Sequence, residues 1–96
     1  MRPSAALVTH RASLREIVEN YGFKNPRVFG SVIRDEDQED SDLDILVDAS
    51  DQASLFDLVA AQIAAETLTG VRIDLCTPDS LSSHYRDVVL REARPL

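Results

Sequence analysis

The sequence predicts an α/β (α+β) fold in which a small mixed β-sheet carries helices packed on one face. Three observations lead to this prediction. Apolar residues recur at helical spacing in separate segments, short apolar runs typical of buried strands lie between them, and glycines or turn residues punctuate the junctions. The predicted order is helix, strand, strand, helix, strand, helix. A chain of 96 residues is large enough for one modest core, so residues 1–96 are expected to form one domain.

The first predicted helix begins after Ser13 and runs to about Tyr21. Ser13 is a candidate N-cap, and Glu16 three residues later would complete a capping box. Gly22 would then end the helix. Four apolar residues recur at i, i+3, i+4 and i+7 and form a stripe expected to pack on the sheet: Leu14, Ile17, Val18 and Tyr21.

Three strands are predicted from short apolar runs. The first run ends at Phe29, immediately before Gly30, and the second covers residues 43–47 as a buried strand. The third is predicted over residues 71–76. The segment between Gly30 and residue 43 therefore connects two strands, and it holds much of the motif discussed below.

The second predicted helix follows Ser54 and runs to about Thr69, where Gly70 is the expected C-terminal stop. A turn at residues 77–79 leads into a last helix from about residue 80 to residue 93. The second helix is amphipathic by its apolar spacing: Leu55, Leu58, Val59 and Ile63.

Three aspartates mark the candidate site. Asp42 and Asp44 are two residues apart, so on an extended chain their side chains point to the same face, and Asp74 is delivered by the third strand. Carboxylates suit hard cations such as Mg²⁺, and two ions about 4 Å apart can clamp the attacking and leaving oxygens of a displacement at phosphorus. An isolated Asp-x-Asp pair is more often a solvated strand edge. Asp74 and the residues upstream favour the metal site here.

The upstream residues suit a phosphate group. Gly30 would let the backbone approach a phosphate where a Cβ would intrude, and Ser31 supplies a hydroxyl and an amide donor. Arg34 adds a positively charged fork for phosphate oxygens. Ser41, directly before Asp42, completes the pattern. Together these residues can seat a metal-bound nucleoside triphosphate, which indicates nucleotidyl transfer.

Charge is large and unevenly distributed. The net charge of −7 and the pI near 4.6 argue against direct nucleic-acid binding, which requires a basic surface. Residues 1–34 carry net +4 and residues 35–96 carry net −11. The acidic run at residues 35–40 is either a solvated loop or a segment that concentrates Mg²⁺ or meets a basic partner.

The lone cysteine and the lack of long apolar segments bear on location. Cys76 excludes an internal disulfide and, on a predicted strand, is expected to be a small buried hydrophobe rather than a reactive thiol. The sequence has no apolar core typical of a signal peptide and no membrane-spanning stretch. We therefore expect a cytoplasmic protein without a membrane partner.

Residues 28–48 resemble the Gly-Ser-x-x-Arg…Ser-Asp-x-Asp signature of the DNA polymerase beta nucleotidyltransferase superfamily. More narrowly, the chain is similar to the minimal nucleotidyltransferase (MNT) antitoxins. This likeness extends to residues 14–21, 54–59, 71–78 and 89–96, so it covers nearly the whole chain.

The resemblance implies a nucleotidyltransferase fold and a specific set of roles. Asp42 and Asp44 would hold two Mg²⁺ ions, Asp74 would complete the shell of the catalytic ion, and Gly30 with Ser31 would hold the triphosphate of ATP. Relatives often have Gly after the arginine, where this chain has Asp35, and a small residue before the arginine, where it has Ile33.

Members of the family pair with HEPN-type ribonuclease toxins, and some transfer AMP from ATP to a toxin tyrosine. A short chain leaves no room for a separate acceptor domain, which favours a protein acceptor and a hetero-oligomer with the toxin. The expected function is therefore Mg²⁺-dependent adenylylation of a HEPN toxin. One alternative is an antitoxin that acts by occlusion without catalysis, and another is a small-molecule transferase.

Overall fold

The computed structural model describes residues 1–96 as a mixed four-stranded sheet with three helices. The helices are α1 (Pro3–Asn20), α2 (Leu55–Thr69) and α3 (Ser83–Glu92), and the strands are β1 (Phe23–Phe29), β2 (Leu43–Ala49), β3 (Ile73–Cys76) and β4 (Arg94–Pro95). The strand order is β3-β2-β1-β4. β1 runs antiparallel to β2 and β4, whereas β2 and β3 are parallel, so the mixed sheet is confirmed.

The two faces of the sheet have different characters. Side chains alternate along β2, so Leu43, Ile45 and Val47 point to one face, while Asp44 and Leu46 point to the other. The first face packs against α1 and α2 in the main core. The second face, which we call the carboxylate face, holds the aspartates and is covered in part by α3.

The main core is assembled from apolar side chains of the sheet and of the first two helices. Its buried members are Leu7, Leu14, Val18, Phe23, Val28, Leu43, Ile45, Val47, Ala61, Ala65, Ile73, Leu75 and Leu96. Burial of these apolar side chains supplies the main driving force for folding. It also fixes the register in which β2 and β3 present their alternate residues on the carboxylate face.

The prediction that α1 starts after Ser13 is wrong. The helix begins at Pro3, which suits the first turn because proline lacks the amide that would have no helical partner there. His10 has non-helical backbone angles and divides α1 into two pieces, and the sequence pattern found only the second piece. Asp37 accepts a hydrogen bond of 3.0 Å from the Ser4 amide and thereby stabilises the helix start.

The α1 stripe is only partly buried. Leu14 and Val18 are in the core and Ile17 packs against it, as predicted. Tyr21 instead remains 36% exposed, because it is the residue that ends the helix. Gly22 follows with a φ of 91°, so a residue with easy access to the left-handed region lies where the prediction placed the helix stop.

Helix α2 has the predicted limits but a different buried face. Ser54 accepts from the Asp57 amide and Asp57 accepts from the Ser54 amide, which forms a capping box, and Gly70 ends the helix at a φ of 75°. The residues buried against the sheet are the small ones, Ala61 and Ala65. Most of the predicted apolar stripe faces solvent: Leu55, Val59 and Ile63, joined by Phe56.

Helix α2 also protects the outer edge of β3. Glu66 accepts a hydrogen bond of 3.0 Å from the Ile73 amide, and Gln62 accepts one of 3.4 Å from the Leu75 amide. These amides lie on the side of β3 that no strand pairs. Because polar side chains of the helix satisfy them, the sheet edge is closed to further strand addition at these positions.

The C-terminal part of the chain differs from the prediction in two ways. Residues 78–80 form a short 3₁₀ turn, and α3 begins only at Ser83. The strand β4 was not predicted, and it pairs with β1 through two residues, with Leu96 buried beside it. A strand of two residues has too little sequence for any periodicity to reveal it.

Helix α3 lies on the carboxylate face, so the prediction that helices cover one face holds for α1 and α2 only. Val89 of α3 is fully buried with Phe29, Leu46 and Cys76 in a second, smaller core. This packing places α3 beside the aspartates. None of the three helices combines the length and apolar character that a membrane-spanning helix requires.

Candidate active site

The parallel pairing of β2 with β3 brings two of the predicted aspartates together. Asp44 lies opposite Asp74 in the register, and Asp42 precedes Asp44 by two residues, immediately before β2 begins. All three therefore belong to the carboxylate face. They share this face without forming a closed ligand set, since no three acidic, histidine or cysteine side chains converge closely enough to hold a metal ion.

Asp44 is the electrostatic centre of the group. Burial, followed by the negative charges of Asp74 and Asp42, raises the pKa of Asp44 from its ordinary value of 3.8 to about 6. Arg34 acts in the opposite direction and favours the ionised form. A partly buried carboxylate surrounded by like charges is stabilised in its ionised form when it binds a cation or accepts a hydrogen bond from the protein.

Gly30 approaches this carboxylate more closely than any other residue type could. It directly follows β1 and has a φ of 79°, a conformation that L side chains rarely adopt. A Cβ built at this position would lie 2.1 Å from Oδ2 of Asp44. Glycine is therefore required both by its backbone angle and by the space that the Asp44 carboxylate occupies.

Asp42 has an unsatisfied oxygen. Its Oδ1 is buried and has no hydrogen-bond partner. Nε of Arg72 lies 3.0 Å from this oxygen, but the orientation of the guanidinium does not form a hydrogen bond, while Nη2 of Arg72 donates to the Asp40 carbonyl. The two side chains form an ion pair that is largely exposed, which contributes little to stability and can be displaced.

Arg34 is held by two acids in this structure. Its Nη1 donates to Glu92 of α3 at 2.6 Å, and its Nε donates to Glu36 at 3.2 Å. The hydrogen bonds to Glu36 and Glu92 raise the pKa of Arg34 above its ordinary value. The guanidinium has five N–H donors, so several stay available for another acceptor such as a phosphate oxygen.

The two predicted serines have different positions. Ser31 is half-buried in the 3₁₀ turn that follows Gly30, and its carbonyl accepts from the Glu36 amide. Ser41 accepts a hydrogen bond of 2.9 Å from the Gln38 amide and donates its own amide to the Gln38 carbonyl. Ser41 therefore shapes the turn before Asp42, and Ser31 belongs to the loop that carries Gly30.

Asp35 adopts a backbone conformation that glycine would favour, the residue that the family resemblance leads one to expect here. Its φ is 59°, within the left-handed region that Asp tolerates better than most residues. Asp therefore fits this loop geometry at a small conformational cost. Its carboxylate lines a shallow surface cavity of about 440 Å³ together with the rest of the acidic run and Arg2.

The acidic run is divided between structural and exposed residues. Asp37 is 8% exposed, and although burial opposes its ionisation, hydrogen bonds from the Ser4 amide and hydroxyl lower its pKa. Most other acids of the run are exposed. The solvated-loop interpretation thus holds for most of the segment, while Asp37 ties the run to α1.

Cys76 lies beneath the site as a buried thiol. Burial, followed by the charges of Asp74 and Asp44, raises its pKa to about 12. The thiol therefore stays protonated over the physiological range, and its Sγ lies 3.8 Å from the Ile45 carbonyl oxygen. This confirms the prediction of a small buried hydrophobe.

Three residues of this neighbourhood were not predicted. Arg72 could have been found, because it precedes Asp74 by two residues and so shares its face. Glu92 and Tyr85 reach the site through the packing of α3, and no local pattern reports that packing. Burial, followed by the charge of Asp44, raises the pKa of Tyr85.

The residues present fit a divalent cation. Hard cations prefer carboxylate oxygens, and the face offers three aspartates, of which Asp42 has a buried oxygen held only by an ion pair with Arg72. The pKa of Asp44 is raised first by burial and then by repulsion from Asp74 and Asp42, and a cation would relieve that repulsion. Gly30 adds a backbone that comes close to the same carboxylate without a side chain.

Comparison with known proteins identifies several related chains. A family model described as a nucleotidyltransferase domain matches residues 11–96. A protein adenylyltransferase from Thermococcus cleftensis, named MntA, is 42% identical over 86 residues, which cover 90% of this chain and 84% of that protein. A protein from Methanocaldococcus jannaschii that is assigned the same activity is 38% identical over 77 residues, covering 80% of this chain and 83% of the relative.

Solved structures support the same fold. One structure, assigned as a minimal nucleotidyltransferase, superposes with a TM-score of 0.87 at 40% identity and covers 97% of this chain and 95% of that chain. A toxin–antitoxin structure with AMP-PNP gives a TM-score of 0.72 at 16% identity, covering 96% of this chain and 70% of that chain. At that identity, the second likeness concerns the fold alone.

Proposed function

This chain belongs to the nucleotidyltransferase domain family, in its minimal form, and from that premise we propose that it is the antitoxin of a toxin–antitoxin pair that adenylylates its toxin. The proposed partner is a HEPN-type ribonuclease, and the proposed acceptor is a tyrosine hydroxyl of that partner. One observation carries the proposal: Asp44 and Asp74 pair in register beside Gly30, whose missing Cβ leaves room for the Asp44 carboxylate.

The reaction is a displacement at the α-phosphorus of ATP. The tyrosine oxygen forms a new bond to that phosphorus, the bond from the phosphorus to the oxygen bridging toward the β-phosphate breaks, and pyrophosphate leaves. The hydroxyl proton passes to solvent. Atoms and charge balance without a further reactant, and the product is the O-adenylylated tyrosine.

The proposed ligands for Mg²⁺ are Asp42, Asp44 and Asp74. When bound, the ions would neutralise phosphate charge and lower the pKa of the attacking hydroxyl. Because the pKa of Asp44 is raised, its ionised form is unfavourable in the free protein, and a bound cation would stabilise that form even without substrate. Arg72 would give up its exposed ion pair with Asp42, at small cost.

The loop after β1 is proposed to hold the triphosphate. Gly30 allows the backbone to approach closely, Ser31 supplies a hydroxyl and an amide, and Arg34 supplies N–H donors from a position next to Asp44. Ser41 acts through the turn that positions Asp42. In this assignment Glu92 orients Arg34, because it contacts Nη1 and leaves the other N–H groups available.

Support for a protein acceptor comes from the relatives and from the charge of the chain. The relative in Thermococcus cleftensis is named a protein adenylyltransferase and is matched over most of its length. The net charge of −7 argues against a nucleic acid as the acceptor, since no basic surface would neutralise its phosphates. A protein partner can supply the binding surface that this small domain does not devote to an acceptor.

The experiment is intact mass spectrometry of a HEPN-type ribonuclease, the proposed partner, after incubation with Mg²⁺-ATP and this chain. We expect mass increments of one AMP and loss of ribonuclease activity. The Asp42→Asn, Asp44→Asn double variant should produce neither change, because it removes two of the three proposed ligands. Asp51→Asn with Asp87→Asn removes the same number of charges from exposed positions and should behave as wild type.

Other outcomes would contradict parts of the proposal. Neutralisation by the Asp42, Asp44 double variant without any mass change would identify occlusion as the mechanism and reject catalysis. If the wild type left the toxin unmodified and fully active, the antitoxin assignment would be wrong. A small-molecule acceptor would then be the reaction to assay.

A further inference from the structure

Tyr85 is an exposed aromatic residue on the carboxylate face. The chain has five aromatic residues, two tyrosines and three phenylalanines. Phe23 and Phe29 are buried in the two cores, while Tyr21 directly follows α1 and Phe56 belongs to α2, the helices on the opposite face. Tyr85 is 49% exposed, so a large part of its ring is open to contact.

Two contacts fix the face of α3 that carries Tyr85. Val89 is fully buried against Phe29, Leu46 and Cys76, and Glu92 contacts Arg34 at 2.6 Å. Tyr85 precedes Val89 by four residues and Glu92 by seven, so the three side chains lie on the same side of the helix. The packing of Val89 and the ion pair of Glu92 therefore turn Tyr85 toward the sheet.

The position of Tyr85 along α3 separates it from the proposed phosphate loop. Seven residues of helix span roughly 10 Å, and Glu92 marks the end of α3 that contacts Arg34. Val89, one helical turn from Tyr85, packs on Leu46 and Cys76. These two residues follow Asp44 and Asp74 by two positions on the same face of the paired strands, so this part of α3 lies over the carboxylate face beside the aspartates.

We propose that the ring of Tyr85 is a stacking platform for the base of the bound nucleotide. This inference rests on the proposed function, since it assumes that the triphosphate lies between the aspartates and the loop after Gly30. An extended nucleotide anchored there places its base away from the phosphates. Along α3, away from Arg34, the aromatic surface that a base can meet is Tyr85.

A stacking role means that Tyr85 contributes to the affinity for the base of the nucleotide. Every base has a π-face, so an aromatic platform increases affinity with little discrimination between bases. The tyrosine hydroxyl is not needed for stacking. The structure thus assigns to Tyr85 a role in binding the nucleoside part of the substrate, whereas the aspartates and Arg34 act on the phosphates.

The experiment measures calorimetric dissociation constants for Mg²⁺-ATP and for Mg²⁺-tripolyphosphate, which has no base. Tyr85→Ala should weaken ATP binding roughly 5- to 150-fold, the range expected for one lost base stack. Tyr85→Phe retains the ring and should bind ATP as the wild type does. Neither variant should change the affinity for tripolyphosphate.

Each alternative result has a definite meaning. Equal ATP affinity of Tyr85→Ala and wild type would overturn the stacking role. An equal loss of affinity for ATP and tripolyphosphate would also overturn it, because the variant would then disturb the phosphate site through α3. If the wild type bound tripolyphosphate as tightly as it bound ATP, the base would make no contact and the platform would be wrong. Failure of the wild type to bind either probe would reject the proposed function itself.

Discussion

At the scale of single residues, the candidate site consists of aspartate carboxylates that lie close to one another and to the backbone of Gly30. Asp44 lies opposite Asp74 and below a glycine whose Cβ would fall 2.1 Å from its carboxylate. The buried Oδ1 of Asp42 accepts no hydrogen bond and is held only by its ion pair with Arg72. Native proteins satisfy most buried polar atoms, so this oxygen is a candidate position for a bound ion. The arrangement costs stability in the free protein, and a bound cation can recover it.

Asp44→Asn should stabilise the metal-free protein near neutral pH. The pKa of Asp44 is raised to about 6 in the folded state, so the folded protein binds this proton more tightly than the unfolded chain does. Stability is therefore lost as pH rises from about 4 to about 6. After allowance for partial solvent screening, the variant should be more stable by about 1 kcal/mol above pH 7.

The measurement is urea unfolding of both proteins in EDTA between pH 4 and pH 8. The difference in free energy of unfolding should shrink as pH falls from about 6 toward 4, as the wild-type carboxylate becomes protonated. Asp51→Asn controls for the loss of one exposed charge. A variant less stable than wild type at every pH would show that Asp44 stabilises the fold as a structural acceptor.

At the scale of secondary-structure elements, sequence predicted what local chemistry determines. The helix start after Ser54, the glycine after Thr69 and the alternation along β2 each follow from neighbouring residues, and all three were predicted. The capping box was predicted at Ser13, but the structure forms it at Ser54. The buried face of α2 was not predicted, because a close approach of helix and sheet selects Ala61 and Ala65 over larger apolar residues. That selection depends on tertiary packing, which periodicity does not report.

The kink of α1 illustrates the same limit. His10 breaks the helical angles, and the apolar stripe used for the prediction lies entirely after it. The start of the helix is supported by Asp37, which is 33 residues away from Ser4 in sequence. A contact between residues so far apart cannot be recognised from the sequence around Pro3. The prediction therefore placed the start of α1 at Ser13.

A matched pair of variants in α2 tests which face is buried. Ala61→Leu adds volume at a fully buried position and should cost about 1–3 kcal/mol, because the well-packed core must shift to admit it. Ile63→Gln removes an apolar side chain that is 56% exposed and should change stability by less than about 0.5 kcal/mol. Urea midpoints at constant m-value measure both. A larger loss for Ile63→Gln would mean that the apolar stripe is the packed face.

At the scale of the whole molecule, the aspartates were predictable and their surroundings were not. Asp42, Asp44 and Asp74 follow from strand alternation and a recognisable motif, and the structure places all three on one face. Arg34 was predicted as a phosphate ligand, yet the structure shows it paired with Glu36 and Glu92. Glu92 is 58 residues distant in sequence, so only the folded chain reveals this contact.

The two faces of the sheet have different roles. One face buries the main core beneath α1 and α2, so it supplies most of the hydrophobic stabilisation. The other face holds the acids, with α3 attached through a small core of four buried residues. The main core and the proposed site therefore lie on opposite faces of one sheet. Substitutions of the aspartates on the carboxylate face should leave folding largely intact.

Mg²⁺-ATP should raise the thermal stability of the whole molecule, because a ligand that binds only the folded state stabilises it by mass action. At a free concentration of about 100 times the dissociation constant, the gain is about 2.7 kcal/mol. For a domain of this size, each kcal/mol raises Tm by about 4–8 °C, so a shift of at least about 10 °C is expected.

The Asp42→Asn, Asp44→Asn double variant should show almost no shift at the same concentrations, while Asp51→Asn with Asp87→Asn should shift as wild type does. Differential scanning calorimetry with EDTA as the metal-free control measures these values. Equal shifts for the wild type and the Asp42, Asp44 double variant would mean that the nucleotide binds elsewhere on the molecule.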